Sequence, residues 1–400
     1  MTTLRGAPKK NNRLSMPVFS LLVIFGLIAT AGAQTWTPIS PAPTSEDLMG
    51  TVFAMNRFVA VGTNGAVLTS SDGNAWTSRT SGVSKTLFAV AASDSMFVAV
   101  GDSGTILTSK DGVAWTARTS NTTNSLQGVA WNGLTFVAAG LASTIVTSAD
   151  GASWTNRTLG TPTDLHGAAW GNNMFAVAGF DGMNGTINTS PDGIHWTGRT
   201  VQAPDGLLSI SWCGGAFLAG SIGVLASPDG VTWNLYTSGF SDYINGATGY
   251  PNRFIVVGAG GVIESSSDDS TWTSQNSGVS ASLYCATWGA NLFVAAGAGG
   301  TILTSPLTNA GVKGHDGAKG RGPAIAVNNR SINFSLVTDA IASLRLYSMQ
   351  GCLVRSMSAL LCKGDHAAPA TFLSGLSQGR YLLSFTAGNY AIQRPVLVVK

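Results

Sequence analysis

The sequence has few charged side chains, few cysteines and almost no glutamate in its main body. Asp, Glu, Lys and Arg make up 10% of the 400 residues, against about 25% in a typical soluble protein. Four cysteines are too few for a disulfide scaffold. His166 and His195 lack metal-ligand spacing, so we expect no metal and no cofactor. Hydrophobic residues reach 44%, which excludes an intrinsically disordered chain.

Long apolar runs are missing after residue 34, because Gly, Ser, Asn or Asp interrupts each one. The mature chain is therefore predicted to contain no transmembrane span. The first 33 residues differ: four basic residues precede an apolar run at 18–29, and the small residues 31–33 follow it. This order is typical of a bacterial signal peptide cleaved after Ala33, and the run is too short for the alternative, a membrane anchor. We expect a secreted or outer-membrane surface protein that passes through the periplasm.

Charge is unevenly distributed along the chain. Removing residues 1–33 removes four basic residues and no acidic ones, so the formal charge changes from +3 to −1. Residues 34–305 hold eight basic against sixteen acidic residues, a net −8, whereas residues 306–400 hold ten against three, a net +7. An acidic body argues against nucleic acid as a ligand, because phosphate binding depends on Lys and Arg.

Tryptophan recurs through the body at intervals of 37 to 42 residues. The repeated positions are Trp36, Trp76, Trp115, Trp154, Trp196, Trp233 and Trp272. Each interval contains four short segments, exemplified by LFAVAAS at 87–93, FVAVG at 58–62, GTILTS at 104–109 and WTSRT at 76–80. β-Branched and aromatic residues between turn residues indicate strands. Four strands in about 39 residues is the size of a propeller blade.

The two ends of the repeat complement each other. The last third-strand segment, 300–305, is not followed by a tryptophan-containing fourth strand. Conversely, the fourth-strand segment TWTPIS at 35–40 is not preceded by the other three strands of a blade. The N-terminal strand is therefore predicted to become the outer strand of the last blade, which closes the ring. The sequence predicts an all-β, monomeric seven-bladed β-propeller over residues 34–305.

A seven-residue turn, S-x-D-G-x-x-W, joins the third and fourth strands. Its aspartates are Asp72, Asp111, Asp150, Asp192, Asp229 and Asp268. Asp-Gly favours a tight hairpin, and the carboxylate caps backbone N–H groups, so we interpret these aspartates as structural. Asp269 replaces the glycine in the sixth copy. The turn resembles a shortened Asp-box of the sialidase-like BNR-repeat propellers and of the photosystem II assembly factor family. The resemblance covers 34–305 and implies the fold, because the box is a structural turn.

A sialidase would need an arginine cluster, a tyrosine nucleophile with a glutamate partner, and an aspartate acid. The arginines repeat at equivalent blade positions, which favours a role in guarding outer strands: Arg79, Arg118, Arg157 and Arg199. Glu46 and Glu264, the only two glutamates in the body, are not near a tyrosine in sequence. We predict no catalytic centre. A glycoside hydrolase using paired carboxylates stays open as the alternative, since their separation is spatial.

Acidic residues concentrate in two kinds of loop, those from second to third strand and those from fourth strand to the next blade. Both kinds are predicted to lie on the face opposite the turns. The acids there are Glu46, Asp47, Asp102, Asp164, Asp181, Asp205 and Asp242, and nearby aromatics are Phe180, Phe240 and Tyr243. The predicted ligand-binding set is Asp47, Asp102, Asp164, Asp181, Asp205, Asp242 and Tyr243. It would bind a glycan, a cation or a surface protein; alternatively, these acids only solvate the surface.

The basic tail is predicted to comprise a flexible linker, 306–327, and a small β-sandwich, 328–400. A "Y-x-x-x-G" turn at 347–351, an "L-x-x-G-x-Y" at 376–381 and a final lysine resemble the C-terminal sorting domain of type IX secretion cargo. That resemblance implies contact with the secretion machinery, outer-membrane passage and removal of the domain; an immunoglobulin-like adhesion module is the alternative. Cys352 and Cys362 could form a disulfide, and Cys213 and Cys285 are predicted to be buried thiols.

These patterns favour an exported, non-catalytic binding propeller with a glycan or protein ligand. The alternatives are a glycoside hydrolase or sialidase-like enzyme on the acidic face, and an assembly factor of the cell envelope.

Overall fold

The computed structural model describes residues 34–306, except 162, 204, 238–241 and 251–252, and the strand segments between 324 and 398. Residues 34–306 form seven four-stranded antiparallel sheets. The first strand of each sheet contacts the first strands of its two neighbours, and the first and seventh sheets also meet. The predicted seven-bladed β-propeller is therefore confirmed. No candidate membrane-spanning helix occurs among the described residues.

The blades are numbered 1–7 from the N-terminus by their first strands. The first strands are Leu48–Ala54, Leu87–Ala92, Leu126–Trp131, Asp164–Gly171, Ser209–Trp212, Ile244–Tyr250 and Leu283–Gly289. The second strands are Arg57–Gly62, Phe97–Gly101, Phe136–Gly140, Met174–Phe180, Phe217–Ser221, Arg253–Gly258 and Leu292–Gly297. The third strands are Val67–Ser70, Ile106–Ser109, Thr144–Ser148, Gly185–Ser190, Gly223–Ser227, Ile263–Ser266 and Ile302–Pro306.

The fourth strands of blades 1–6 are Thr77–Arg79, Thr116–Arg118, Thr155–Thr158, Thr197–Arg199, Asn234–Tyr236 and Thr273–Gln275. Single 3-10 turns follow four of the second strands, at Thr63–Gly65, Asp102–Gly104, Ala259–Gly261 and Ala298–Gly300.

The second strands form the centre of each blade interface. A phenylalanine near the start of every second strand is buried: Phe58, Phe97, Phe136, Phe175, Phe217, Phe254 and Phe293. The glycine of the turn packs against this layer, since a Cβ at Gly73 would lie 2.9 Å from the Leu292 side chain of blade 7. Gly73 also has a φ of +76°, a conformation that favours glycine. The repeated turn therefore packs one blade against the preceding one.

The fourth strand of blade 7 is Thr37–Pro38, from the N-terminal end of the described chain. Thr37 pairs with Thr304 and Pro38 pairs with Leu303. The Ile39 N–H extends the pairing by a 2.8 Å hydrogen bond to the Ile302 carbonyl. Trp36 is buried beside residues of blades 6 and 7, so the ring is sealed by both pairing and apolar packing.

The basic tail contains two antiparallel sheets. One has the strands Ala324–Val327, Ile332–Leu336 and Gly364–Ala367, and the other has Ala340–Ser348, Leu353–Leu361, Gly379–Ala387 and Tyr390–Val398. The small β-sandwich and the sorting role stay predictions. The signal peptide, most of the linker, Cys352 and Cys362 lie outside the described residues.

Candidate functional site

The turn aspartates are engaged within their own turns. In blade 1, Asp72 Oδ1 accepts hydrogen bonds from the N–H groups of Asn74 and Ala75 at 2.8 and 2.9 Å. Ser70 donates to the same oxygen at 3.0 Å and accepts from the Gly73 N–H at 2.8 Å. The other five aspartates accept the same backbone bonds. These bonds favour the ionised form and lower the pKa of Asp150 to about 2.

The acidic loops gather at the other end of the blades, as their strand order predicts. The Thr63 N–H, after the second strand of blade 1, donates to the Asp47 carbonyl just before the first strand, at 2.9 Å. Equivalent bonds join Asp102 to Thr86 and Ala298 to Ser282. We call this end, which carries the loops between second and third strands and the starts of the first strands, the upper face. The opposite end is the turn face.

Three of the predicted ligand-binding carboxylates link neighbouring blades on the upper face. Asp47 Oδ1 accepts the Gly299 N–H of blade 7 at 2.8 Å, and Asp164 Oδ1 accepts the Ala142 N–H of blade 3 at 2.8 Å. Asp102 Oδ1 accepts a 2.6 Å hydrogen bond from Ser125, at the entry to blade 3. Each of these carboxylates thus has one oxygen engaged in holding two blades together.

The remaining predicted residues are dispersed around the upper face. Asp181 Oδ1 accepts the N–H groups of two residues in its own loop, which lower its pKa. Asp242 Oδ1 accepts the Tyr243 N–H at 2.9 Å, and the Tyr243 side chain is 41% exposed. Asp205 is half-buried before blade 5, while Phe240 lies outside the described residues. Ligand binding by this set stays a prediction.

The first strands line a central channel with a cavity of about 420 Å³. Six of them carry a β-bulge at the residue that follows the buried leucine or isoleucine, which leaves the bulged residue without a partner in the ladder. The bulged residues, joined by Leu208 in blade 5, all line the cavity near the upper face. We call this set the channel-mouth ring: Met49, Phe88, Gln127, His166, Leu208, Asn245 and Tyr284.

The channel-mouth ring varies within a frame that repeats. The residue before each ring position is leucine or isoleucine and is fully buried, as at Leu48 and Leu87. The residue after it is small, because a Cβ at Gly128 would lie 2.5 Å from the Ala168 nitrogen of blade 4. At the ring position itself, which lies between these two conserved-size neighbours in each blade, the seven blades carry seven different residue types. Blade packing therefore does not determine the ring side chains.

The electrostatics of the channel favour neutral groups. Burial lowers the pKa of the half-buried His166, although the nearby Asp164 carboxylate opposes that shift. Asn245 donates to the Leu283 carbonyl at 3.0 Å. The Cys285 thiol is buried and its pKa is raised to about 12, so it is not a thiolate nucleophile at neutral pH. Cys213 is likewise a buried free thiol, as predicted.

The lining residues include no carboxylate, and no group of three metal-ligating side chains occurs within the described ranges. The arrangement can present apolar surface and neutral hydrogen-bonding groups. This ring was not predicted from the sequence. The signal that could have revealed it is a position that follows a repeated leucine and differs in every repeat.

No protein-family model and no curated protein sequence matches the chain. Similar solved structures include YCF48 from Cyanidioschyzon merolae, at 18% identity and a TM-score of 0.55, with 68% of this chain and 99% of that chain covered. YCF48 bound to D1 peptide matches at 17% identity and a TM-score of 0.57, covering 68% and 97%. A catalytically inactive virginiamycin B lyase from Staphylococcus aureus matches at 11% and 0.60, covering 68% and 99%. At these identities the likeness establishes the propeller fold and nothing finer.

Proposed function

We propose that the chain is an exported, non-catalytic propeller that binds a polypeptide segment of a partner protein at the channel-mouth ring. The observation that carries this proposal is the ring itself: seven different side chains at one position of an otherwise repeated frame. Loops and strand ends on rigid scaffolds are where binding residues concentrate.

The chemistry of the ring suits an uncharged peptide segment with a bulky apolar side chain. Tyr284, Met49 and Phe88 belong to the adjacent blades 7, 1 and 2 and form an apolar arc. Aromatic and methionine side chains adapt well to apolar anchors. Gln127 and His166, from blades 3 and 4, supply neutral hydrogen-bonding groups that suit peptide amides. A YCF48 structure carries a bound D1 peptide, which supports peptide binding on this architecture.

Export is the second part of the proposal. The basic and apolar residues before Gln34 are typical of a cleaved leader, and the tail motifs resemble type IX sorting domains. Fractionation of a bacterium that has this secretion system provides the test. We expect the full chain to reach the surface or the medium, and a chain lacking residues 328–400 to stay in the periplasm.

A random peptide library panned on the mature protein tests the binding function. We expect peptides with apolar anchors to be enriched, and the triple variant Met49→Ser, Phe88→Ser, Tyr284→Ser to weaken their binding by at least about tenfold, because the apolar contact is lost. The matched control is Ile194→Ser with Val231→Ser, which removes exposed apolar side chains from the turn face and should leave affinity unchanged. Equal affinity of the ring variant would refute the site.

The glycoside hydrolase alternative rests on the carboxylates that gather on the upper face. A glycan array and a panel of polysaccharide and sialoside substrates separate it from the proposal. Turnover that disappears in the variant Asp181→Ala, Asp205→Ala, while the thermal midpoint stays that of the wild type, would establish an enzyme. Glycan binding that depends on the ring residues and occurs without turnover would show that the ligand is a sugar and not a peptide.

A further inference from the structure

Gln34, the first residue after the predicted cleavage point, occupies an unusual environment. It is 6% exposed, and its backbone N–H donates a 2.9 Å hydrogen bond to Oε1 of Gln275 in blade 6. Among the described residues, neither Nε2 nor Oε1 of the Gln34 side chain has a hydrogen-bond partner. A buried amide without partners is costly, so this side chain calls for an explanation.

The partner of Gln34 also departs from the repeat. In blades 1–4 the position equivalent to Gln275 is an arginine whose Nε donates to a third-strand threonine, as Arg79 does to Thr69 at 2.9 Å. Gln275 keeps that link, donating from Nε2 to Ser265 at 2.9 Å. Its Oε1 is then free to accept the Gln34 N–H. Blade 6 thus offers the N-terminus a neutral acceptor in place of a cation.

Cleavage after Ala33 would convert the Gln34 nitrogen into an α-ammonium group. A buried ammonium needs an anionic partner, and the neutral Gln275 amide does not supply one. A neutral N–H donor, by contrast, matches Oε1 of Gln275 well. The site is therefore suited to an uncharged N-terminus.

We propose that Gln34 is converted into a pyroglutamyl residue after export. The α-amine attacks Cδ of its own side chain, the new C–N bond closes a five-membered lactam, and the Cδ–Nε2 bond breaks with release of ammonia. No oxidant or cofactor is required. The reaction removes the terminal charge and the unpartnered Nε2, and it retains the N–H that Gln275 accepts. This inference rests on the export part of the proposed function.

The test uses the full chain, expressed with its own N-terminal segment in a Gram-negative host and purified after export. We expect an intact mass about 17 Da below that of a chain starting with unmodified glutamine, and an N-terminus that resists Edman degradation. Unfolding followed by pyroglutamyl aminopeptidase should restore readable sequence from Thr35. A readable Gln34 overturns the inference while the cleavage site stands. A different first residue overturns both.

Paired variants distinguish a lactam from a free α-amine at residue 34 of the folded protein. Gln34→Asn keeps an amide but does not cyclise readily, so its N-terminus is an ammonium group. We expect Gln275→Glu to lower the thermal midpoint of the wild type, because the lactam gives the buried carboxylate no cation. The same substitution should raise the midpoint of Gln34→Asn, where an ion pair forms. A Gln275→Glu change that stabilises both backgrounds would overturn the inference.

Discussion

On the turn face, six turns repeat the same hydrogen bonds from Asp72 in blade 1 to Asp268 in blade 6, whereas at the channel mouth each blade presents a different side chain. The turns pack blade against blade, so every copy meets the same constraint. Six of the seven ring positions are bulged out of the ladder, and all seven line the channel cavity. In a repeat protein, variation among copies therefore distinguishes positions released from packing, and these are the positions available for binding.

Phe175→Ala should produce the largest loss of stability, because Phe175 is fully buried in the repeated core. We expect a decrease of about 3–5 kcal/mol in the free energy of unfolding, measured by urea denaturation. Phe88→Ala, at the half-buried ring, serves as the comparison and should cost about 1 kcal/mol. Equal losses at the two sites would erase the distinction between core and ring.

Gly128→Ala should have the next largest effect. Its new Cβ would lie 2.5 Å from the Ala168 nitrogen, so the first strands of blades 3 and 4 would have to separate. We expect a loss of about 1–3 kcal/mol by the same measurement. In Gly198→Ala the nearest atom is 3.5 Å away, an ordinary contact, and stability should hold. An unchanged free energy of unfolding for Gly128→Ala would show that the first strands of blades 3 and 4 can accommodate a side chain at this position.

Asp150→Asn probes the turns. The pKa of Asp150 is about 2 in the folded protein, below its value in the unfolded chain. The ionised carboxylate therefore stabilises the fold above the unfolded-state pKa, and this stabilisation is lost as the pH falls from about 4 towards 2. We expect the variant to lose about 1 kcal/mol at neutral pH and to converge with the wild type in acid. Thermal unfolding between pH 2 and 7 measures this. The control, Asp94→Asn in an exposed loop, should leave the stability at neutral pH unchanged.

His166→Gln should have the smallest effect on stability. Burial lowers the folded-state pKa of His166, so the unfolded chain binds the proton more readily and the wild type loses stability as the pH falls below about 6.5. The variant lacks this loss. The difference between the two unfolding free energies should therefore shift in favour of the variant from pH 8 to pH 5. A constant difference would show that His166 is not desolvated.

The tryptophan period and the two incomplete ends were enough to predict seven blades and the pairing that seals them, because both depend on patterns along the chain. The turn geometry was also accessible, since all its bonds join residues up to three positions apart. The channel-mouth ring was not. A bulge depends on the register between two strands, and Met49 in isolation looks like any other strand residue.

The acidic loops show a second limit. The strand order predicts that these loops lie on one face, but it does not predict that Asp47 and Asp164 accept backbone N–H groups of neighbouring blades. A carboxylate used in this way and one that faces a ligand have the same sequence signature. Loop conformation decides between them.

The pairing of Thr37 with Thr304 has a consequence for biogenesis. If the chain is exported from its N-terminus, as proposed, the outer strand of blade 7 is delivered first, and its partner strand, Ile302–Pro306, follows only after blades 1–6. Until the third strand of blade 7 has also crossed, Thr37–Pro38 has no strand to pair with. Such distant contacts form slowly. Under the proposed export, the timing of translocation would set the moment at which the ring closes, and a chaperone that shields the N-terminal strand would act before that moment.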